Sequence, residues 1–237
     1  MNFWRKIFVF VFVLIFGTAV LAVDTKYFCS FTYKQKGIRG SDFTFTPEFR
    51  LENGARELYY YKLKAGYLFR PKEWLNLGFY FSFLNDKTQT GAWNPDHVFE
   101  FVVDPKIIFD FSGRRVGAGV EREVDDLTKK VLDVLSYAEL EVHDFDMGDL
   151  SKTNLVGQVR PGLSWQYGED KIYVKDDIFY TFLYGHVYRN WVTLGIVRPL
   201  NGLSLDLYYT YENEQPGYIN PWEQAHVLGT RLIWDRR

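Results

Sequence analysis

The sequence predicts an all-β fold: one closed barrel of about twelve antiparallel strands, within a range of about 10 to 14. Three observations favour this fold. Aromatic residues, which favour strands, make up 19% of the 237 residues. Stretches of about ten residues alternate apolar and polar side chains, which gives a strand two different faces, and turn residues separate those stretches. No linker or change of composition divides them, so we predict a single domain at residues 23–237.

The alternation is clearest at residues 42–52, where Phe45 and Phe49 fall on one face and Glu48 and Arg50 on the other. The next two residues are Asn and Gly, a strong signal for a hairpin turn. The same alternation elsewhere predicts eleven further strands, at residues 27–35, 59–69, 75–83, 97–112, 116–124, 138–143, 155–166, 171–183, 189–196, 203–211 and 226–234. Together these stretches predict the twelve strands of the barrel.

Two connections between the predicted strands carry further expectations. Residues 124–135 form either part of an extended connection or a short amphipathic helix. Because strand directions alternate, counting the predicted strands places the long loop at residues 212–223 opposite the end of the chain. The same count places the loop at residues 85–96 on the side where the chain ends, although outer-membrane barrels keep their turns short on that side.

The first 22 residues have the three parts of a secretory signal peptide. Arg5 and Lys6 precede an apolar run that begins at Ile7, and small residues lead up to Ala22, after which we predict cleavage. The alternative is a signal anchor, but the apolar stretch of about 17 residues is at the lower limit for spanning a bilayer. We therefore expect an exported chain in a Gram-negative-type cell envelope.

The charge balance excludes one class of partner. The 28 Lys and Arg residues are matched by 30 Asp and Glu residues, so the chain lacks the basic surface that nucleic-acid binding requires. The apolar runs that follow the first segment are too short for a membrane helix. The mature chain could therefore cross a membrane only as a closed barrel.

Three features favour an outer-membrane barrel over a soluble one. The alternating stretches are longer than the strands of about five or six residues usual in soluble proteins. Their apolar faces are almost free of charge. Tyr and Trp gather near the ends of the stretches, as in the interfacial girdles of outer-membrane barrels, at Tyr59, Tyr61, Trp74, Trp165, Tyr167, Trp191, Tyr211 and Trp234. We expect localisation in the outer membrane, with lipid around the barrel.

The sequence resembles bacterial outer-membrane β-barrels, in particular an uncharacterised family classed as a domain of unknown function. Five short motifs carry the resemblance: FTPEFR at residues 45–50, GVERE at 119–123, DIFY at 177–180, RNWVTLG at 189–195 and HVLG at 226–229. The resemblance spans most of the mature chain. In size and strand number the chain is also similar to twelve-stranded oligosaccharide porins. Both resemblances imply a membrane-spanning barrel.

The polar faces are predicted to line the interior of the barrel, the lumen. The candidate lumen residues carry both signs of charge: Glu48, Arg50, Lys62, Lys64, Glu100, Glu121, Glu123, Glu139, Glu141, His143, Arg160, Asp177, Arg189, Asp206 and Arg231. Two interpretations follow. In a structural protein the charges pair across strands and partly fill a narrow barrel. In a porin-like protein they line a pore for small solutes or ions, with a weak preference for cations.

Two other functions give different expectations. In a soluble periplasmic barrel that binds an apolar ligand the faces are reversed, and Phe45, Phe79, Phe81 and Leu205 line the cavity. An outer-membrane lipid-modifying enzyme needs a Ser and a His on the outer wall, but Ser204 is predicted to face inward while His226 faces outward. Motifs for nucleophilic catalysis, phosphate binding and zinc binding are missing from the sequence. We therefore expect a protein without catalytic residues, metal or cofactor.

Overall fold

The computed structural model describes residues 25–37, 40–72, 74–87, 90–109, 115–116, 132–135, 138–143, 154–215 and 221–236. These residues contain no helix and 14 strands. The strands are β1 (Thr25–Lys36), β2 (Ser41–Glu52), β3 (Glu57–Lys72), β4 (Leu75–Lys87), β5 (Trp93–Phe109), β6 (Arg115–Val116), β7 (Leu132–Leu135), β8 (Ala138–His143), β9 (Asn154–Val159), β10 (Gly162–Tyr167), β11 (Asp170–Thr181), β12 (His186–Leu200), β13 (Leu203–Glu214) and β14 (Glu223–Arg236).

Eleven strands form the closed barrel and one short strand lies outside it. β7 and β8 pair with successive parts of β5 and so act as one barrel strand. β9 and β10 likewise pair with successive parts of β11, and Pro161, which has no N–H to donate, stands between them. The short β6 pairs with the end of β5 alone.

The barrel closes through a parallel pair, β1 with β14. Its register runs without interruption from Thr25 opposite His226 to Gln35 opposite Arg236. All other neighbouring strands are antiparallel, and an odd number of alternating strands leaves the first and the last pointing the same way. The predicted all-β barrel of about twelve strands is confirmed, with this one parallel pair as the departure from an antiparallel sheet.

The two ends of the barrel can be named from the chain. The first rim is the end at which β1 begins, and the second rim is the end at which β14 ends. Residues 88–92 and 215–222 connect strands at the first rim. The expectation that the loop at 85–96 lies on the side where the chain ends is therefore wrong. It rested on a barrel strand at 116–124, whereas β6 is not part of the barrel wall and residues 117–124 lie outside the described residues.

The predicted connection at residues 124–135 lies only partly within the described residues. Residues 132–135 form a strand, β7, and not the end of a helix, while residues 124–131 lie outside the described residues. The predicted signal peptide also lies outside them. Among the described residues, no helix has the length and apolar character needed to cross a bilayer.

The alternation in the sequence places large apolar side chains on the outside of the wall. Phe79 of β4 is 52% exposed and lies opposite Phe101 of β5, while Phe81 lies opposite Phe99. Ser82, the next residue after Phe81, points to the interior and is fully buried. Such period-two segregation is expected when the two faces of a strand meet different surroundings.

Tyrosine side chains in the interior lie against glycines of neighbouring strands. A Cβ atom added to Gly229 would overlap the ring of Tyr208, and one added to Gly195 would overlap the ring of Tyr173. Tyr208 and Gly229 are also direct cross-strand partners. Glycine is required at these positions because the ring occupies the space of its missing side chain.

We expect Gly229→Ala to lower the free energy of unfolding by about 1–3 kcal/mol, because the added methyl group must displace a packed ring. A urea titration followed by circular dichroism measures this change. Gly157→Ala is the control, since its added Cβ would meet only Phe182, which is 53% exposed and can move aside. Equal effects of the two substitutions would contradict the proposed role of the Tyr208 ring.

Candidate functional site

The interior of the barrel contains a cavity of about 780 Å³. Its lining is polar and charged, with side chains from β1 to β5, β8, β9 and β11 to β14. Acidic and basic lining residues occur in similar numbers: the acids are Glu48, Asp86, Asp96, Asp104, Glu139, Glu141, Glu212 and Glu214, and the bases are Lys26, Lys34, Arg50, Lys62, Lys64, Lys87, Arg160, Arg189 and Arg231. The wall therefore carries no strong excess of either sign.

The structure brings most of the predicted lumen residues together inside the barrel. Nine of them line the cavity: Glu48, Arg50, Lys62, Lys64, Glu139, Glu141, Arg160, Arg189 and Arg231. Glu100, Asp177 and Asp206 are almost completely buried and contact those residues. Glu121 and Glu123 lie outside the described residues, and so does the side chain of His143.

The first charge cluster is centred on Glu100 of β5. The Nζ atom of Lys62 lies 2.5 Å from Glu100 Oε1, and Lys64 forms a second ion pair with the same carboxylate. Lys64 also lies 3.1 Å from Glu139, and Lys62 lies 3.9 Å from Glu141. The lysines belong to β3 and the last two glutamates to β8, so these ion pairs join strands that are three apart in the barrel wall.

The carboxylates of this cluster raise the question of a metal ion. Oxygen atoms of Glu100, Glu139 and Glu141 lie within 4.8 Å of one another. Oxygen-rich clusters of this kind suit hard cations. Here, however, the ammonium groups of Lys62 and Lys64 already pair with all three carboxylates. The arrangement is that of an ion-pair network.

Two further clusters lie on the opposite side of the lumen. Arg160 and Lys175 both pair with Asp177, the latter at 3.0 Å, and Gln158 donates a hydrogen bond of 2.6 Å to the same carboxylate. The carboxylate of Asp206 accepts a hydrogen bond of 3.0 Å from the Tyr173 hydroxyl. Arg231 pairs with Asp206 at 2.5 Å. Asp177 and Asp206 thus each have a positively charged partner, which buried charges require.

A fourth group combines arginines with aromatic rings. The guanidinium carbon of Arg50 lies 4.0 Å from the ring centroid of Tyr60, 4.4 Å from that of Phe28 and 5.3 Å from that of Trp191. Arg189 lies 5.2 Å from the same Trp191 ring. These distances are within the range of cation–π attraction. The Trp191 ring therefore has two guanidinium groups close to it inside the barrel.

Two aromatic residues do not lie where the girdle interpretation placed them. Trp191 and Tyr59 line the cavity and are not on the outer surface. Trp191 has the same parity as the predicted lumen residue Arg189, so alternation alone could have located it. Tyr59 could not be located in this way, because the register shifts between Arg50 and Leu51 and reverses the local alternation.

The structure also locates the residues expected to act in a soluble ligand-binding barrel and in a lipid-modifying enzyme. Phe45, Phe79 and Phe81 are 38–52% exposed on the outer surface, and Leu205 lies opposite the exposed Leu232. The cavity is therefore not lined by this apolar set. Ser204 pairs with Ile233 near the second rim, whereas His226 pairs with Tyr211 near the first. The side chains that a lipid-modifying enzyme would need are not brought together.

Comparison with known proteins identifies no relative of this chain. No protein-family model, curated protein sequence or solved structure matches the chain. The resemblance to an uncharacterised outer-membrane family stays a prediction from the five motifs. The fold class that the structure defines is a closed β-barrel with a charged interior.

We expect Glu100→Gln to lower the free energy of unfolding by about 3 kcal/mol, because it leaves Lys62 and Lys64 without their shared carboxylate in the barrel interior. A denaturant titration at constant ionic strength measures the change. The matched control is Glu57→Gln, which removes a partly exposed ion pair with Lys87 at the first rim and should change the stability little. A Glu100→Gln protein as stable as this control would contradict the structural role of the cluster.

Proposed function

We propose that this chain is an outer-membrane β-barrel, structural or porin-like, with lipid around its wall and a lumen of mixed charge. One observation carries the proposal: large apolar side chains project from the outside of the wall, while charged side chains project into its interior. A lipid environment favours this distribution because apolar side chains need no water there, and the polar groups need a wet or paired interior.

The outer surface supports the proposal through its aromatic density. On β4 and β5 the rings of Phe79 and Phe101 are 4.9 Å apart, and those of Phe81 and Phe99 are 5.2 Å apart. Each of the four is between 36% and 52% exposed. Soluble monomers rarely expose contiguous apolar patches of this kind, whereas contact with a bilayer buries them.

The closure of the barrel and the length of most of its strands are also those that a bilayer requires. β2 and β13 each have 12 residues and β12 has 15, and a membrane-spanning strand needs about 9–11. Closure through β1 and β14 pairs the two edges that an open sheet would expose to lipid. These strands are therefore long enough to cross a bilayer. The closure of the barrel pairs the backbone groups of its first and last strands.

The charged lining of the lumen favours a narrow or closed passage over a wide pore. Many of its acidic and basic groups form ion pairs, and lining acids and bases occur in similar numbers, so the wall presents little net charge to a passing ion. The cluster on Glu100 also extends across the lumen from β3 to β8. Such side chains fill part of the interior, as expected of a narrow barrel.

Localisation is tested by separating the soluble periplasmic fraction from membranes and extracting the membranes with detergent. We expect the full-length chain in the outer-membrane fraction, released by detergent but not by high salt or alkaline washing. Recovery of the folded chain in the soluble periplasmic fraction would refute the proposal and favour a soluble barrel.

A substitution on the outer wall distinguishes a wall that faces lipid from one that faces water. We expect Phe81→Arg to impair membrane assembly, because an arginine near the bilayer midplane costs about 2–4 kcal/mol. Phe69→Arg is the matched control: Phe69 and Phe81 are 42% and 43% exposed, but Phe69 lies near the second rim, where the cost is about 0–1 kcal/mol. Heat-modifiable migration on gels reports the folded fraction of each variant. Equal folded fractions for both variants would contradict a lipid-facing wall.

A further inference from the structure

The contact between Arg50 and Trp191 crosses the lumen. Arg50 belongs to β2 and Trp191 to β12, and the shorter path between them around the wall passes through β1, β14 and β13. Strands four apart in a circular barrel of eleven are separated by about nine-tenths of the barrel diameter. The two side chains nevertheless approach to 5.3 Å, from guanidinium carbon to ring centroid. Together they span nearly the full width of the interior.

Neighbouring side chains hold the arginine in this position. Arg50 Nε donates a hydrogen bond of 2.6 Å to Glu48, which lies two residues away on the same face of β2. The rings of Tyr60 and Phe28 flank the guanidinium group. The guanidinium group is therefore held by an ion pair through Nε and by the aromatic rings beside it. It also contacts Trp191 of the opposite wall.

Trp191 is held in a different way. Phe179 packs edge-on against its ring at 5.0 Å, and Arg189 lies over it at 5.2 Å. The buried indole Nε1 donates no hydrogen bond to any described residue. The ring is thus positioned by aromatic and cation–π contacts, which are individually weak, so its rotation breaks no hydrogen bond or ion pair of its own.

We propose that Arg50 and Trp191 form a constriction that restricts the passage of small hydrated ions and polar solutes through the lumen. This inference rests on the proposed function as a membrane barrel. The Lys62–Glu141 and Lys64–Glu139 pairs also cross the interior, but they join strands three apart and are fixed by ion pairing. The Arg50–Trp191 contact joins strands four apart and carries no ion pair between its two sides, so it spans more of the lumen than either of those pairs.

Single-channel conductance in planar lipid bilayers tests the constriction. The variants are Trp191→Ala, which removes the ring without changing the charge, and Arg50→Ala, which removes the opposite side of the contact. We expect each to raise the conductance in potassium chloride by at least about twofold over the wild type, because the narrowest section limits the current. The double variant should add little to either single variant, since one substitution already removes the contact.

Two controls on the outer wall match these substitutions. Trp93→Ala and Arg198→Ala remove the same residue types from exposed positions, where Trp93 is 42% exposed and the Arg198 side chain is 50% exposed. Both should conduct as the wild type does. Heat-modifiable migration confirms that each inserted protein is folded, and Arg50→Ala provides an independent reading if Trp191→Ala does not fold.

The possible outcomes separate the constriction from the proposed function. Wild-type conductance in folded Trp191→Ala and Arg50→Ala proteins would overturn the constriction and leave the membrane barrel standing. An altered ion preference in Arg50→Ala with unchanged conductance in Trp191→Ala would also overturn it, because charge alone would then act. Failure of the folded wild type, the variants and the controls alike to enter bilayers would overturn the proposed function and this inference with it.

Discussion

The parallel pairing of β1 with β14 is the interaction on which the rest of the structure depends. Without it the sheet would have two unpaired edges and no enclosed space. Closure gives every barrel strand two neighbours and divides the alternating side chains into an enclosed set and an outward set. It also brings charges from strands that are not neighbours within ion-pair distance, as with Lys64 and Glu139. The arrangement is stable only if the charges of the enclosed set match across the lumen.

The interior satisfies that requirement in two ways. Buried acids form ion pairs with basic residues, as Asp177 does with Arg160 and Lys175. Aromatic rings occupy much of the remaining space: Tyr208 lies over Gly229, and Trp191 contacts both Arg50 and Arg189. The ion-pair clusters connect the walls strongly, whereas the aromatic contacts are weaker and easier to rearrange. The contacts around Trp191 are therefore weaker than the ion pairs that connect the walls elsewhere.

The outward set has the opposite requirement. Its phenylalanines contact one another along neighbouring strands, as at Phe79 and Phe101, but no described element covers them. An exposed aromatic surface is costly in water and favourable in lipid. The same closure that makes a charged interior possible therefore creates an exterior suited to a bilayer. This common origin is why the proposal of an outer-membrane barrel and that of a mixed-charge lumen depend on each other.

The sequence by itself determined the fold class and the side of the wall on which most residues lie. Alternation assigned Glu48, Arg50 and Asp206 to one face because side chains of a strand point in alternate directions whatever the strand pairs with. The partners of these residues depended on the tertiary structure. The parallel closure, the position of β6 outside the barrel wall and the inward position of Tyr59 follow from strand pairing and from a local register shift. Register is set by contacts between residues far apart in the chain, so only the closed barrel decided that Arg50 meets Trp191 across the lumen.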